Sequence, residues 1–156
     1  MSEESRNSVA MGVSMLGMYM QAVIQDQGLD KALYYYYQMG QMFGKGNVAS
    51  FKAKSGDETP TPEILHEIFT ENLTRFGSDF KITANPDGID MNINHCAIYQ
   101  GFSMAGFDND TISKICKRGG EGQMDAITAV YPKLEPFSTP RSHLDGVCIE
   151  GYKIKR

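Results

Sequence analysis

Residues 80–93 have the sequence FKITANPDGIDMNI, and this stretch sets the fold class. Apolar and polar side chains alternate on each side of Asn85-Pro86-Asp87-Gly88. A period of two is typical of a half-buried strand, and the four central residues favour a turn. The stretch therefore predicts a β-hairpin with one apolar face. Because successive strand residues point to opposite faces, the same alternation places His95 on the apolar face.

Helical patterns precede the hairpin. Apolar residues recur at helical spacing over Asn7–Gln25 and again over Asp30–Phe43. The glycine-rich stretch Gly44–Gly46 is predicted to end the second helix, so Asn47–Pro60 is expected to be a loop. Thr61 is predicted to cap a third helix, which begins at a proline and carries a regular apolar face.

The chain after the hairpin predicts more helices and then two strands. Helices are expected at about Cys96–Gly106, Asp110–Arg118 and Gln123–Tyr131, and strands at about Leu134–Ser138 and Val147–Ile154. Together these elements predict an α+β fold. It has N-terminal helices plus a four-stranded, mainly antiparallel sheet, with helices between its two hairpins.

Composition limits the possible partners. The 156 residues carry a formal net charge of −4 and no long basic stretch, which argues against nucleic acid and anionic membranes as partners. The apolar run Val9–Ile24 is interrupted by glycine, serine and glutamine, so it predicts neither a signal peptide nor a membrane span. We expect residues 1–156 to form a single domain of a cytoplasmic protein.

The first two helices carry a surplus of methionine and tyrosine. Met11, Met15 and Met18 share one face of the first helix, while apolar residues also occupy another face. This helix is therefore expected to be largely buried, either in the core or against a second copy of the chain. The run Tyr34–Tyr37 surrounds the second helix, so at least one ring must face solvent, a partner or a cavity. The sequence thus predicts a homodimer and a small-molecule site that includes Met15 and Tyr35.

Three cysteines are the main candidates for chemistry. Cys96 opens a helix, Cys116 lies on the next helix and Cys148 lies on the last strand. An odd number of cysteines excludes complete internal pairing. A helix N-terminus favours the thiolate, so Cys96 is predicted to be a nucleophile with a lowered pKa. The alternative is that all three are ordinary buried residues.

Polar residues near the cysteines suggest supporting roles. His95 or His143 could move protons, and Asp145 or Glu150 could orient the imidazole. Arg141 could hold a substrate carboxylate through two parallel hydrogen bonds. Alternatively, the loop that carries Arg141 is an ordinary surface connection, and Glu150 is a solvated strand residue.

The main expectation is a cysteine nucleophile that uses no cofactor. A metal site is a further alternative. Cys96, Cys116 and Cys148 could bind zinc, with water or His95 as the fourth ligand. The chain has no C-x-x-C or H-E-x-x-H motif, so such a site would depend on tertiary convergence. Nucleotide-binding glycine motifs and G-x-S-x-G are absent as well.

An ordered set of short motifs covers residues 90–150. It consists of Cys96, Tyr99 and Gly101, then Ala105-Gly106-Phe107, then Cys116, then Tyr131-Pro132-Lys133-Leu134, and finally Asp145 followed by Cys148. In this order the motifs resemble those of the L-2-amino-thiazoline-4-carboxylic acid hydrolase-like family. The chain differs from that pattern at Ala97, where the family often has proline, and at Phe107, where leucine is common. Asp145 is also one residue further from Cys148.

The resemblance implies an activity. The family name comes from members that hydrolyse a cyclic amidine, so the expected function is hydrolysis of a C–N bond in a small heterocycle. Independently of the resemblance, the surplus of aromatic and thioether groups near Cys96 predicts that Tyr99 lines the substrate pocket. The family is also distantly similar to 4-vinyl-reductase-type ligand-binding domains, some of which hold structural zinc with cysteines. The alternative is therefore a non-catalytic small-molecule-binding module.

Overall fold

The structure is a computed structural model that describes residues 3–155. Its helices are α1 (Glu3–Gln27), α2 (Leu29–Ser55), α3 (Pro62–Arg75), α4 (Ala97–Met104) and α5 (Asn109–Thr128). Its strands are β1 (Asp79–Asn85), β2 (Gly88–His95), β3 (Leu134–Thr139) and β4 (Cys148–Ile154). The predicted α+β fold, with helices before and between two hairpins, is confirmed.

The four strands form one antiparallel sheet in the order β1-β2-β4-β3. The predicted hairpin is present, and Ile82 pairs with Met91 across it. In the centre of the sheet β2 pairs with β4, so Cys148 lies opposite Ile93 and Glu150 lies opposite Met91. This register places a thiol and a carboxylate beside apolar residues of the neighbouring strand.

The predicted end of the second helix is wrong. Helix α2 continues through Gly44 and the following residues to Ser55, so no loop begins at Asn47. The glycines permit close packing here instead of ending the helix. A Cβ on Gly40 would collide with the carbonyl oxygen of Gly119, and one on Gly44 would collide with the backbone of α5.

The two helices predicted around Gly119 are also wrong, because they are one continuous helix, α5. Gly119 lies against the ring of Tyr36, and Gly122 lies against the backbone carbonyl of Tyr37. The backbones of α2 and α5 therefore approach each other at glycines from both helices. A side chain at these positions would force the helices apart.

Helix α1 is only half buried. Ala10, Met20 and Val23 are buried, and Gly17 packs closely against Ala105 just after α4. The methionine-rich side is exposed, so the expectation that α1 is largely buried in the core of its own chain is wrong for that side. Among residues 3–155, no helix is long and apolar enough to cross a membrane.

Two apolar cores support the sheet and the helices. One core lies between α2, α3, the end of α5 and the sheet, and it includes Phe51, Phe69 and Tyr152. The other lies between α1, α2, α4 and α5, with Tyr99 and Phe102 inside it. Cys96 and Cys116 pack against this second core, so the candidate site lies at its border with the sheet.

Candidate active site: a thiol–arginine cluster

The three thiols lie on separate elements of the chain. Cys96 is the residue before α4, Cys116 lies on α5, and Cys148 is the first residue of β4. Burial raises the pKa of Cys116 well above its usual value, and negative charge on Cys96 and Cys148 raises it further. The thiols are thus close enough to influence one another, although none is in a disulfide. We call Cys96, Cys116, Cys148 and Arg141 the thiol–arginine cluster.

Arg141 is the cation of this cluster, and its side chain is only 2% exposed. Its Nε donates to Sγ of Cys148 at 3.3 Å, and its backbone N–H donates to the same sulfur at 3.5 Å. Its Nη1 donates to the carbonyl of Leu144 at 3.0 Å and to that of Asn94 at 3.4 Å, while Nη2 donates to the carbonyl of Ile93. The guanidinium therefore ties the β3–β4 loop to β2.

The charge of Arg141 has no carboxylate in contact. Of the ion pairs formed by residues 3–155, none includes this guanidinium. An arginine stays protonated in proteins, and a buried cation is costly without a counter-charge. The ionisable atom that it contacts is Sγ of Cys148.

The sequence predicted a lowered pKa for Cys96, but the pKa of this thiol is raised. Burial raises the pKa of this thiol, and negative charge on Cys148 adds to the increase. The backbone N–H groups of Tyr99 and Ile98 at the start of α4 lower it, as does Arg141, but burial outweighs them. The prediction that Cys96 lies at a helix N-terminus is correct. The cost of burying a charged thiolate nevertheless exceeds the effect of the N–H groups, so the pKa rises.

Glu150 is a half-buried carboxylate next to the cluster. Burial raises its pKa, while a hydrogen bond from Ser138, with its Oγ 3.4 Å from Oε1, and the charge of Arg141 lower it in part. Its charge in turn contributes to the raised pKa of Cys116. Glu150 is thus half-buried, and the alternative that it is a solvated strand residue stays open.

The histidines and Asp145 do not reach the thiols. Nε2 of the half-buried His95 lies 3.1 Å from Oε1 of Gln100, and Nδ1 of the exposed His143 lies 3.0 Å from Oγ of Ser142. Within residues 3–155, no hydrogen bond joins either ring to a cysteine or to Asp145. Asp145 is exposed on the β3–β4 loop. No proton relay through these residues is assembled.

The expected substrate-binding residues lie in different environments. Arg141 is buried, with its donors directed to carbonyls and a sulfur, so the predicted contact with a substrate carboxylate is not supported. Tyr99 is fully buried, and its hydroxyl donates to Oδ1 of Asn109 at 3.0 Å. Met15 and Tyr35 are on the surface and do not belong to the core beside the thiols.

Tyr36 is the tyrosine of the run that faces the thiols. Burial raises its pKa, and the charges of Cys116 and Cys96 raise it further. Its ring packs edge-on against Phe102, with centroids 5.7 Å apart. The sequence could have indicated that Tyr36 faces the core, because Ala32, Tyr36 and Gly40 recur every four residues on one face of α2. Ser113, whose Oγ donates to the carbonyl of Arg141 at 2.9 Å, had no such signal.

Two surface cavities lie away from the cluster. One of about 780 Å³ is lined by residues at the start of α1, from Glu3 to Met11. Another of about 440 Å³ lies at the β1–β2 turn and includes Asp90 and Lys153. Neither of these two cavities is lined by the cysteines or by Arg141.

The donor groups do not form an evident metal centre. Within the described residues 3–155, no group of three or more His, Cys, Asp or Glu side chains is arranged to hold a metal ion. The guanidinium of Arg141, which contacts Cys148, also opposes a cation at that sulfur. The zinc alternative therefore lacks an assembled set of ligands.

Comparison with protein-family models, with curated proteins and with solved structures gave no match to this chain.

Proposed function

We propose that this chain is a small hydrolase that opens a C–N bond in a cyclic amidine or a related small heterocycle, with Cys148 as its nucleophile. The observation that carries the proposal is the contact of Arg141 with Sγ of Cys148 at 3.3 Å. The contact places a positive charge beside the sulfur on which negative charge is needed for nucleophilic attack. The motif resemblance in residues 90–150 supplies the substrate class.

Charge within the cluster favours Cys148 over Cys96 as nucleophile. Burial raises the pKa of both Cys96 and Cys116, so these thiols stay neutral to a higher pH than an exposed thiol. Cys148 is the cysteine whose sulfur accepts hydrogen bonds from Arg141. Cys96 is half-buried, so it lies nearer the surface, and the substrate would approach Cys148 past it.

The proposed reaction has two steps. Sγ of Cys148 adds to the amidine carbon, and the ring C–N bond breaks as the leaving nitrogen takes a proton. Water then hydrolyses the thioimidate and restores the thiol. Glu150 supplies the proton, because burial lets its carboxyl keep a proton to a higher pH than an exposed carboxyl.

The experiment measures ring opening of 2-aminothiazoline-4-carboxylate by mass spectrometry, as the gain of one water. Wild type should turn over, Cys148→Ser should lose at least about 1,000-fold, and Cys116→Ser should keep most activity. Cys96→Ser tests the rival nucleophile. The proposal is wrong if Cys148→Ser retains wild-type activity, or if folded wild type opens no cyclic amidine between pH 6 and 9, roughly the range in which thiolates form.

A non-catalytic binding module is the second candidate, because His95 and His143 form their described hydrogen bonds with Gln100 and Ser142 and not with a cysteine. In that case a small heterocycle would raise the thermal unfolding temperature without being consumed. Metal analysis of the purified protein tests the zinc form of this candidate, which requires about one metal per chain. A cytoplasmic setting, which keeps thiols reduced, suits both candidates.

A further inference from the structure

One side of α1 is apolar and uncovered. Met11, Met15, Met18 and Tyr19 are each between 57% and 69% exposed, and we call these four side chains the methionine face. Isolated exposed apolar residues are common, but a contiguous set of large ones on a helix marks an interaction surface. The opposite side of the same helix, with Ala10 and Met20, is already buried in the chain's own core.

The methionine face is exposed, and it also carries no charged side chain. None of the residues from Asn7 to Gln25 is Asp, Glu, Lys or Arg. A solvated helix face normally carries charged residues, and here the nearest ones in sequence are Arg6 and Asp26, just beyond the two ends of the run. The uncharged run spans about five helical turns, or roughly 28 Å.

We propose that a second copy of this chain covers the methionine face, forming a twofold-symmetric dimer through antiparallel contact of the two α1 helices. Met11, Met15, Met18 and Ala22 follow the 4-3-4 spacing of a helix–helix seam. A twofold axis near Met15 places Met11 opposite Met18 of the second copy. The seam is then apolar against apolar along its whole length.

The available area matches such a dimer. Burying four large, more than half-exposed side chains on each copy removes on the order of 1,000 Å² in total, which reaches the lower limit for a specific interface. Gly12 lies beside Met11 and Met15, and a Cβ added there would meet nothing within 4 Å. This bare position lets a second helix approach closely.

The seam sets the crossing geometry, and charge disfavours a membrane. The 4-3-4 spacing predicts a shallow crossing of about 20°, which keeps the two helices in contact along the seam and leaves Glu4, Arg6 and Asp26 near its ends. A helix that lies on an anionic membrane carries Lys or Arg on its polar side, and this run has none in a chain of net charge −4. A second copy has no such requirement.

The test measures oligomeric state by size-exclusion chromatography with light scattering, up to roughly 0.1 mM protein. Wild type should be a dimer. Met15→Glu, which places two like charges at the axis, should raise the dimer dissociation constant by ~100-fold. The matched control is Met42→Glu on α2, because Met42 is 72% exposed but lies outside the methionine face. It should remain dimeric.

A second measurement keeps the proposal falsifiable if Met15→Glu affects folding. Met15→Cys should form a covalent dimer under mild oxidation, whereas Met42→Cys and wild type, which carry the same native thiols, should not. Circular dichroism confirms that each variant is folded. A monomeric wild type, or a dimer that Met42→Glu breaks and Met15→Glu leaves intact, overturns the proposal. Both results are independent of any hydrolase activity.

Discussion

Nε of Arg141 lies 3.3 Å from Sγ of Cys148, and the same guanidinium donates to the carbonyls of Ile93 and Leu144. One buried cation therefore joins the central strand, the loop before β4 and a thiol. Removing it leaves several polar atoms inside the protein without their donor. Arg141 therefore holds the sheet and the loop together and also contacts a thiol.

The first prediction concerns Arg141→Lys. Lysine keeps the charge but cannot reach all three carbonyls and the sulfur with one ammonium group. The variant should lose about 2–4 kcal/mol of unfolding free energy, because buried acceptors are left unpaired. Chemical denaturation measures the loss. The exposed Arg75→Lys is the control and should change stability little; equal effects of the two substitutions would contradict the role given to Arg141.

The second prediction concerns the glycines between α2 and α5. A Cβ on Gly122 would collide with the carbonyl of Tyr37, so Gly122→Ala should destabilise the protein by roughly 1–3 kcal/mol. Gly120 lies on the same helix with nothing within 4 Å of a new Cβ. Gly120→Ala should stabilise by up to about 1 kcal/mol, as expected from helix propensity. Thermal unfolding of both variants measures the contrast, and a shift of the same sign in both would refute it.

These glycines show where local sequence rules were insufficient. Glycine often ends helices, and the prediction placed ends at Gly44 and Gly119 on that basis. Both are inside continuous helices because the opposing backbone needs the space of the missing side chain. A single sequence does not show which use a glycine serves, whereas the hairpin at Asn85–Gly88 depends on local alternation and was predicted correctly.

The sequence located the candidate residues on their elements but did not indicate their energetics. Cys96 was predicted to open a helix, Cys116 to lie on the next helix and Cys148 to lie on the last strand, and the structure places them so. The pKa direction of Cys96 was wrong because burial comes from residues distant in sequence. The role of Arg141 was hidden for the same reason, since its acceptors Ile93 and Asn94 are 48 and 47 residues away.

The third prediction concerns Glu150 and acidic pH. Burial raises the folded-state pKa of this carboxyl, so the folded protein binds its proton more tightly than the unfolded chain does. Its contribution to stability is full below the unfolded pKa of about 4.3 and is lost as the pH rises through the folded pKa. Glu150→Gln removes that loss, so its stability relative to wild type should increase between pH 4 and 7, roughly the window these values define.

Urea denaturation at several pH values measures this difference. Glu135→Gln, which removes one carboxylate from an exposed position on β3, corrects for the change in net charge. If the advantage of Glu150→Gln over wild type were greatest at the acidic end, the assigned direction of the shift would be reversed.

The fourth prediction concerns Cys116 and alkaline pH. Burial, followed by the charges of Cys96 and Cys148, raises the folded-state pKa of this thiol. Above the unfolded thiol pKa of about 8.5 the unfolded chain loses this proton while the folded chain keeps it, so stability falls as pH rises. Cys116→Ala should cost on the order of 1 kcal/mol at neutral pH through lost packing, and should show a shallower loss between pH 8.5 and 9.5, roughly below tyrosine ionisation. Denaturation curves of wild type and variant across this window measure the slopes, and a steeper slope in the variant would show that Cys116 is not the buried neutral thiol described here.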